Sequence, residues 1–328
     1  MIAFVIRRVL QSALVLLAVA LIAFALFNYV GDPINNMVGQ DTTPAEREAL
    51  RHELGLDQSF LMQFARFVGH AAEGNFGLSY QQARPVGQII LEKAPATLEL
   101  SFVAALMALV LGVPMGIYTG LHRRSWASQA MLTGSLIGIS LPTFLIGILL
   151  ILVFAVVLGW LPSFGRGQVV HIGWWSTGLL TASGWRAIIL PAVTLALFQM
   201  TLIMRLVRAE MIEVLRTDYI KFARARGLSN RAVNFGHALK NTLVPVITVT
   251  GIQLGAIIAF AVVTETVFQW PGMGLMFIQA VTFADIPVMA AYLVLVGFFF
   301  VVINLIVDLL YYVVDPRLRI EREHMAGG

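Results

Sequence analysis

The chain has 328 residues, 59% hydrophobic and 12% charged, with a net charge of +4 and no cysteine. A soluble domain carries about 25% charged residues, so there is too little polar side chain here to cover a water-facing surface. Disulfides and thiol chemistry are excluded. The apolar residues run on continuously instead of alternating, which predicts membrane-spanning helices and not an outer-membrane barrel.

Six runs are long enough to span: 9–30, 97–120, 131–159, 188–208, 245–267 and 289–314. The first, with Arg7 and Arg8 before it and Ala18-Val19-Ala20 inside it, has the look of a secretion leader. It continues to Val30, past the roughly 7–15 apolar residues of a leader, and is read as an uncleaved span.

The segment 31–96 is more than a linker. In "TPAEREALRHELG", Thr43 precedes Glu46 by three positions, Pro44 takes the first helical position and Gly55 the stop. In "FLMQFARFV", Phe60, Leu61, Phe64, Phe67 and Val68 share one helical face. These patterns predict short helices lying on the outer membrane face; the plainer reading is an ordinary surface loop.

Within the spans, Gly112, Gly116 and Gly120, then Gly134 and Gly138, then Gly251 and Gly255, recur four apart. That spacing lets helix backbones approach closely. Pro114, Pro142, Pro191 and Pro245 are expected to kink helices or mark their ends.

Lys and Arg fix the expected orientation. With the N-terminus inside, 15 of the 22 basic residues fall in inside segments. Most of the rest fall in the long 31–96 loop, which weighs little. Both termini are therefore expected in the cytoplasm. Trp160, Trp174, Trp175, Trp185 and Trp270 fall near the outer helix ends, where amphipathic rings favour the interface.

The most charged stretch is "DYIKFARARGLSNRAVNFGHALKNTLVP", from Asp218 to Pro245. Thr217 or Asp218 can cap a helix ending at Arg226, and Gly227 suits the left-handed position after it. Tyr219, Phe222, Ala223 and Arg226 share one face of that helix. Ser229 can cap a second helix reaching about Asn241. Two readings stay open: a short helix that plugs a groove in another protein, or a basic loop that touches anionic lipid.

Chemistry-bearing patterns are scarce. No G-x-x-x-x-G-K-[ST] is present to cradle nucleotide phosphates, and no Cys/His cluster to hold a metal. Asp308 is the one ionisable residue expected inside a span, with Glu99 and Glu265 near outer ends and Glu210 near an inner end. A coupling-ion role for Asp308 competes with plain interfacial placement beside Tyr311, Tyr312 and Arg317.

The basic stretch resembles the cytoplasmic signature loop of ABC importer permeases, and most closely that of the dipeptide, oligopeptide and nickel branch. Further blocks fit in order: "IRRVLQS", "GDP" at Gly31–Pro33, "LGLD" at Leu54–Asp57, "GNFGLSY" at Gly74–Tyr80, "ATLELS" at Ala96–Ser101, "TETVFQWPGMG" at Thr264–Gly274 and "VDPRLR" at Val314–Arg319. Lys221, Phe222 and Ala223 stand where the wider family has Glu-Ala-Ala, and Asn75 replaces an acid.

The resemblance implies an all-α integral membrane protein of six transmembrane helices, with type I importer architecture and a folded outer loop after the first helix, as in the B-type subunit. It divides the chain into 1–30, the outer loop 31–96, a permease core 97–316 holding a cytoplasmic coupling loop at 209–244, and a tail 317–328.

It also implies a role: one of two permeases forming a path through the bacterial inner membrane for peptides, or for nickel, glutathione or another small solute. The implied partners are a second permease, two ABC ATPases that hold the ATP and Mg, a substrate-binding protein on the outer side, and membrane lipid. Nucleic acid is not among them. No cofactor, metal or catalytic residue is expected in this chain. The resemblance assigns ATPase coupling to Tyr219, Lys221, Phe222, Ala223, Arg224, Ala225, Arg226 and Gly227. Phe268, Trp270, Pro271 and Gly272 become candidates for an outer gate or binding-protein contact. Ser140, Thr143, Gln199, Gln253 and Asn304 are candidate path-lining residues. The rival reading is a self-sufficient secondary carrier, which would move substrate without ATPases.

Overall fold

The computed structural model describes residues 2–29, 43–53 and 57–314. Expectations for Gly31–Pro33, Gly55 and the tail after Val314 lie outside those residues, as does the side chain of Asp308.

Helix α1 (Ile2–Tyr29) is followed by α2 (Pro44–Glu53) and α3 (Phe60–Ala72), then by the long α4 (Val86–Leu121). Next come α5 (Trp126–Ser140) and α6 (Thr143–Leu150), the latter continued by a wider turn to Val157. Strands β1 (Val170–Ile172) and β2 (Trp175–Thr177) form a hairpin that an all-helical reading missed. Helix α7 (Ala182–Val214) leads to α8 (Asp218–Ala225), α9 (Leu239–Val267), α10 (Met273–Thr282) and α11 (Ile286–Val314).

Four helices are each long and apolar enough to cross a membrane: α1, α4, α7 and α11. Two bent pairs bring the total to six if each pair is one span. The predicted run 131–159 is one of them: it breaks into α5 and α6, bent by 111°. Pro142 is the cause. It offers no amide proton to the preceding turn, and its ring pushes Leu141 into an extended conformation (φ −93°, ψ 137°). The other pair lies within α9, bent by 41° between Pro245–Gly251 and Gly255–Val267. Pro114, Pro191 and Pro245 end no helix. The helix expected to stop near Asn241 instead runs through Pro245 into α9.

Helix α4 starts at Val86, so the expected division between 96 and 97 falls inside it. Its C-terminal half packs on α7 through the glycine ladder. A Cβ on Gly112 would lie 2.9 Å from Met200 O, and one on Gly116 2.7 Å from Met204 O. A Cβ on Gly120 would lie 3.0 Å from Met211 Cβ. Only hydrogen at these positions permits that closeness. The main core fills the space beside them, with Leu100, Ala104, Ile188, Leu195, Ile203 and Ile257 buried. A second cluster joins Ile89 and Ile90 of α4 to Met273 of α10 and Val288 of α11.

The bundle has two ends. The basic end carries the α4–α5 turn and the α7–α9 loop. The hairpin end carries α3, β1–β2 and α10. Helix α3 lies against α1 there, with Phe60, Phe64 and Phe67 around Phe24. The Thr43–Glu46 capping box also forms: Thr43 N donates to Glu46 Oε2 at 2.9 Å. Those bonds hold the Glu46 carboxyl below its usual range.

Candidate functional site

The α7–α9 loop is built as an anchored, outward-facing helix. Thr217 enters α8 in extended conformation, and its own hydroxyl donates back to Val214 O instead of capping. Ile220 and Ala223 point inward, into a small cluster with Met211, Val233 and Ala238. Gly227 ends the helix at φ +80°, a conformation that costs other residues strain. Ser229 Oγ accepts from Ala232 N at 3.3 Å and starts the next helix.

The predicted face of Tyr219, Phe222, Ala223 and Arg226 is therefore split. Ala223 is buried at 7% exposure and belongs to the anchor, because Ile220 at three positions' remove shares its side of the helix. Phe222 is 64% exposed and Tyr219 42%. The Arg226 guanidinium sits 5.8 Å over the Phe222 ring, and Asn241 Nδ2 donates to the Tyr219 hydroxyl at 2.6 Å. Lys221, Arg224, Ala225 and Gly227 are exposed around them. Lys221 pairs with Asp218 at 2.8 Å and holds that carboxyl below its usual range. The result is an aromatic and cationic knob on a fixed base. It can fill an apolar cleft with an acidic rim in another protein.

At the hairpin end the candidates for an outer gate or binding-protein contact are enclosed. Phe268 and Trp270 are each 1% exposed, Gly272 is buried and Pro271 half-buried. Trp270 Nε1 donates to Ala96 O at 2.9 Å. A residue this enclosed offers no contact to a protein approaching from outside, and Trp270 is not an interface ring. Trp160, Trp174 and Trp185 are well exposed.

Glu265 organises this turn. Its carboxylate accepts from Gly274 N at 2.7 Å, Leu275 N at 3.0 Å and Thr97 Oγ1 at 2.5 Å. Thr97 Oγ1 in turn accepts from Met273 N at 2.7 Å. The free amides of the first turn of α10 are thus satisfied by one carboxylate and one hydroxyl. Gly272 lies so close to Glu265 that an added Cβ would sit 2.5 Å from its Cδ. The block "TETVFQWPGMG" is a capped corner packed on α4.

Two more polar joins at this end escaped the sequence reading. Glu99 and Arg166 form a buried pair at 2.6 Å, with side chains 5% and 6% exposed. Arg166 also donates to Ser176 Oγ and O, and Trp175 Nε1 donates to Glu99 Oε1 at 3.3 Å. Asp285 accepts from Ser79 Oγ, and from Tyr80 N at 3.1 Å, tying the 75–85 segment to the start of α11. The signal for Glu99 and Thr97 was their spacing. Two helical positions are about 200° apart, so Thr97 faces Glu265 while Glu99 faces Arg166.

The candidate path residues do not meet in one place. Ser140 and Thr143 flank the α5–α6 break, Ser140 exposed and Thr143 half-buried. Gln199 is 3% exposed, and its Nε2 donates to Gln253 O at 3.2 Å, while its Oε1 is buried without a partner among the described residues. Asn304 lies across the bundle beside Gln11 and Ser12 of α1, its Nδ2 donating to Phe300 O at 2.9 Å. Among the described residues, no group of three His, Cys, Asp or Glu stands close enough to hold a metal.

Residues 112–320 match the model of the binding-protein-dependent transport system inner membrane component, and residues 1–101 match the N-terminal model of the same kind of component. The chain is 38% identical over 336 residues to a di/tripeptide transport system permease protein of Pseudomonas aeruginosa, covering 98% of this chain and all of the other. It is 35% identical to a glutathione transport system permease protein of Escherichia coli, covering 97% and 99%. A dipeptide transport system permease protein of Alkalihalophilus pseudofirmus is 35% identical over 97% of this chain. Among solved structures, the inward-facing methionine ABC transporter MetNI shares the fold at TM-score 0.53 and 20% identity, covering 69% of this chain and 96% of that one.

Proposed function

Because this chain belongs to the family of inner membrane components of binding-protein-dependent transport systems, we propose that it is the permease subunit that couples ATPase closure to the import of small peptides. It is a multi-pass inner membrane permease of an ABC transporter. Peptides are the first substrate class, since several of the similar proteins are named for dipeptide or di/tripeptide transport; glutathione, itself a tripeptide, is the second. Nickel or another small solute is a remoter alternative.

In this reading the basic end faces the cytoplasm with both termini. A second, non-identical permease completes the path, two ATPase subunits bind below, and a binding protein delivers substrate at the hairpin end. The carrying observation is the α8 knob. Phe222, Tyr219 and Arg226 stand out from a helix pinned by Ile220 and Ala223, in a chain that offers no phosphate loop of its own. A lipid-facing basic loop would need the cations but not the exposed ring on an anchored helix. Lys221, Arg224, Ala225 and Gly227 complete the contact.

Reconstitution tests the reading. The four-subunit transporter with its binding protein should take up peptide only with ATP, and Phe222→Ala should lower uptake at least tenfold while the chain still inserts. Uptake by this chain alone, without ATPases, would overturn it.

A further inference from the structure

Helices α5 and α7 form a V. They touch at its closed end, where a Cβ on Gly138 would lie 2.8 Å from Thr201 Oγ1 and 3.0 Å from Leu197 O. One turn nearer the basic end, Gly134 has nothing within 4 Å. Two cavities lie in the opening. The deeper, about 270 Å³, is walled by Met115, Met131, Met200, Met204 and Ile137. The one at the mouth, about 470 Å³, is walled by Leu132, Leu136 and Ile212, with Arg205 and Arg208 beside them. Among the described residues, no carboxylate lines either. Arg205 reaches Ser135 Oγ at 3.5 Å, and its Nε is buried without a partner among the described residues.

The dimensions and the chemistry run together. From Leu197 to Arg208 is eleven residues of helix, roughly 16 Å at 1.5 Å per residue. One leaflet of hydrocarbon is about 15 Å deep, half of about 30 Å. Arg208 thus stands about one leaflet's depth from the closed end of an apolar slot, and Arg205 about 12 Å from it. Methionine walls adapt to a flexible chain, and paired guanidinium groups suit a phosphate. A hydrated solute would find few polar partners here: Thr133 at the mouth, Ser135 and Thr201 deeper in.

We propose that this groove holds one anionic phospholipid of the cytoplasmic leaflet, its phosphate on Arg205 and Arg208 and an acyl chain along the methionine wall. The orientation rests on the function proposed above. The lipid would fill the V and brace α5 against α7 just above the coupling loop.

The test is native mass spectrometry of the assembled transporter, titrated with phosphatidylglycerol or phosphatidylethanolamine. Phosphatidylglycerol should bind more tightly. Arg205→Gln with Arg208→Gln should weaken it by roughly tenfold, because both cations facing the headgroup are then neutral. Arg205→Lys with Arg208→Lys should restore much of the difference, and Met200→Trp should expel both lipids by filling the slot. Arg231→Gln, an exposed cation elsewhere on the loop, should change nothing. Equal binding of the two lipids, or no effect of the Gln pair, would overturn the proposal. So would efficient disulfide formation between a cysteine at Leu136 and the second permease, which would make that chain the occupant. ATP-driven uptake by the unsubstituted transporter separates the two claims: equal binding of the two lipids with intact uptake sinks this inference alone.

Discussion

Phe222 and Ala223 are neighbours in sequence and opposite in role. Phe222 is exposed on the knob, and Ala223 is buried in the anchor. Their substitutions should therefore differ in kind. Phe222→Ala should leave the thermal transition of the isolated chain unchanged and weaken ATPase assembly by about 2 kcal/mol, as for a central aromatic contact. Ala223→Phe should instead unseat α8, seen as faster proteolysis at the loop. Gly227→Val should cost about 1–3 kcal/mol of local stability through its positive φ, while Gly227→Asn should be tolerated. At the hairpin end, Arg166→Ala leaves the buried Glu99 carboxylate without its cationic partner, so a loss of about 3 kcal/mol is expected in detergent unfolding. Glu99→Gln with Arg166→Met should cost much less; a double variant as unstable as the single one would deny that the lone charge is the cause.

The elements show what was legible beforehand. Composition and run length sufficed for the spans, because a membrane helix carries its signal in its own residues. The capping box at Thr43 and the stop at Gly227 were legible for the same reason: their bonds reach three or four positions. What was not legible depends on distant partners. Glu99 meets Arg166 67 positions on, and Glu265 meets Thr97 168 positions back. No local pattern announces either, so the "FQWPGMG" turn, a candidate for an outer gate or binding-protein contact, gave no sign of being a buried corner. The exposed face of α8 was half legible: helical spacing groups Ala223 with Phe222, and only the packing of Ile220 shows which way the helix is turned.

Gly116→Val should destabilise the α4–α7 contact by about 1–3 kcal/mol, whereas Gly69→Ala, with open space around it, should be neutral or better. The cap of α2 should respond to pH. The Glu46 pKa is lowered on folding, so the stability that the carboxylate adds is present above its unfolded value, about 4.3, and is lost as the pH falls through the folded value. Hydrogen exchange of the 44–53 amides should thus be flat from pH 8 to 6, once corrected for intrinsic rates, and lose protection below about pH 4.

The whole molecule joins a fastened end to an exposed lever. At the hairpin end, Glu265, Glu99 and Asp285 lock α4, α9, α10 and α11 to the surrounding loops by buried hydrogen bonds. At the basic end, α8 sits on a small apolar cluster with its aromatic face uncovered. Under the proposed function this asymmetry gives the path a rigid far end and leaves a near end that another protein can grip and move. Proteolysis and hydrogen exchange of the isolated subunit should find the α8 segment opening first.

The most direct measurement places a photo-reactive residue at Phe222 in the assembled transporter, with Ile220 as the buried control. Crosslinking at Phe222 should yield an adduct with the ATPase subunit that changes in intensity with ATP, and Ile220 should yield none. Adducts confined to lipid, or equal adducts at both positions, would contradict the assignment of α8 as the coupling helix.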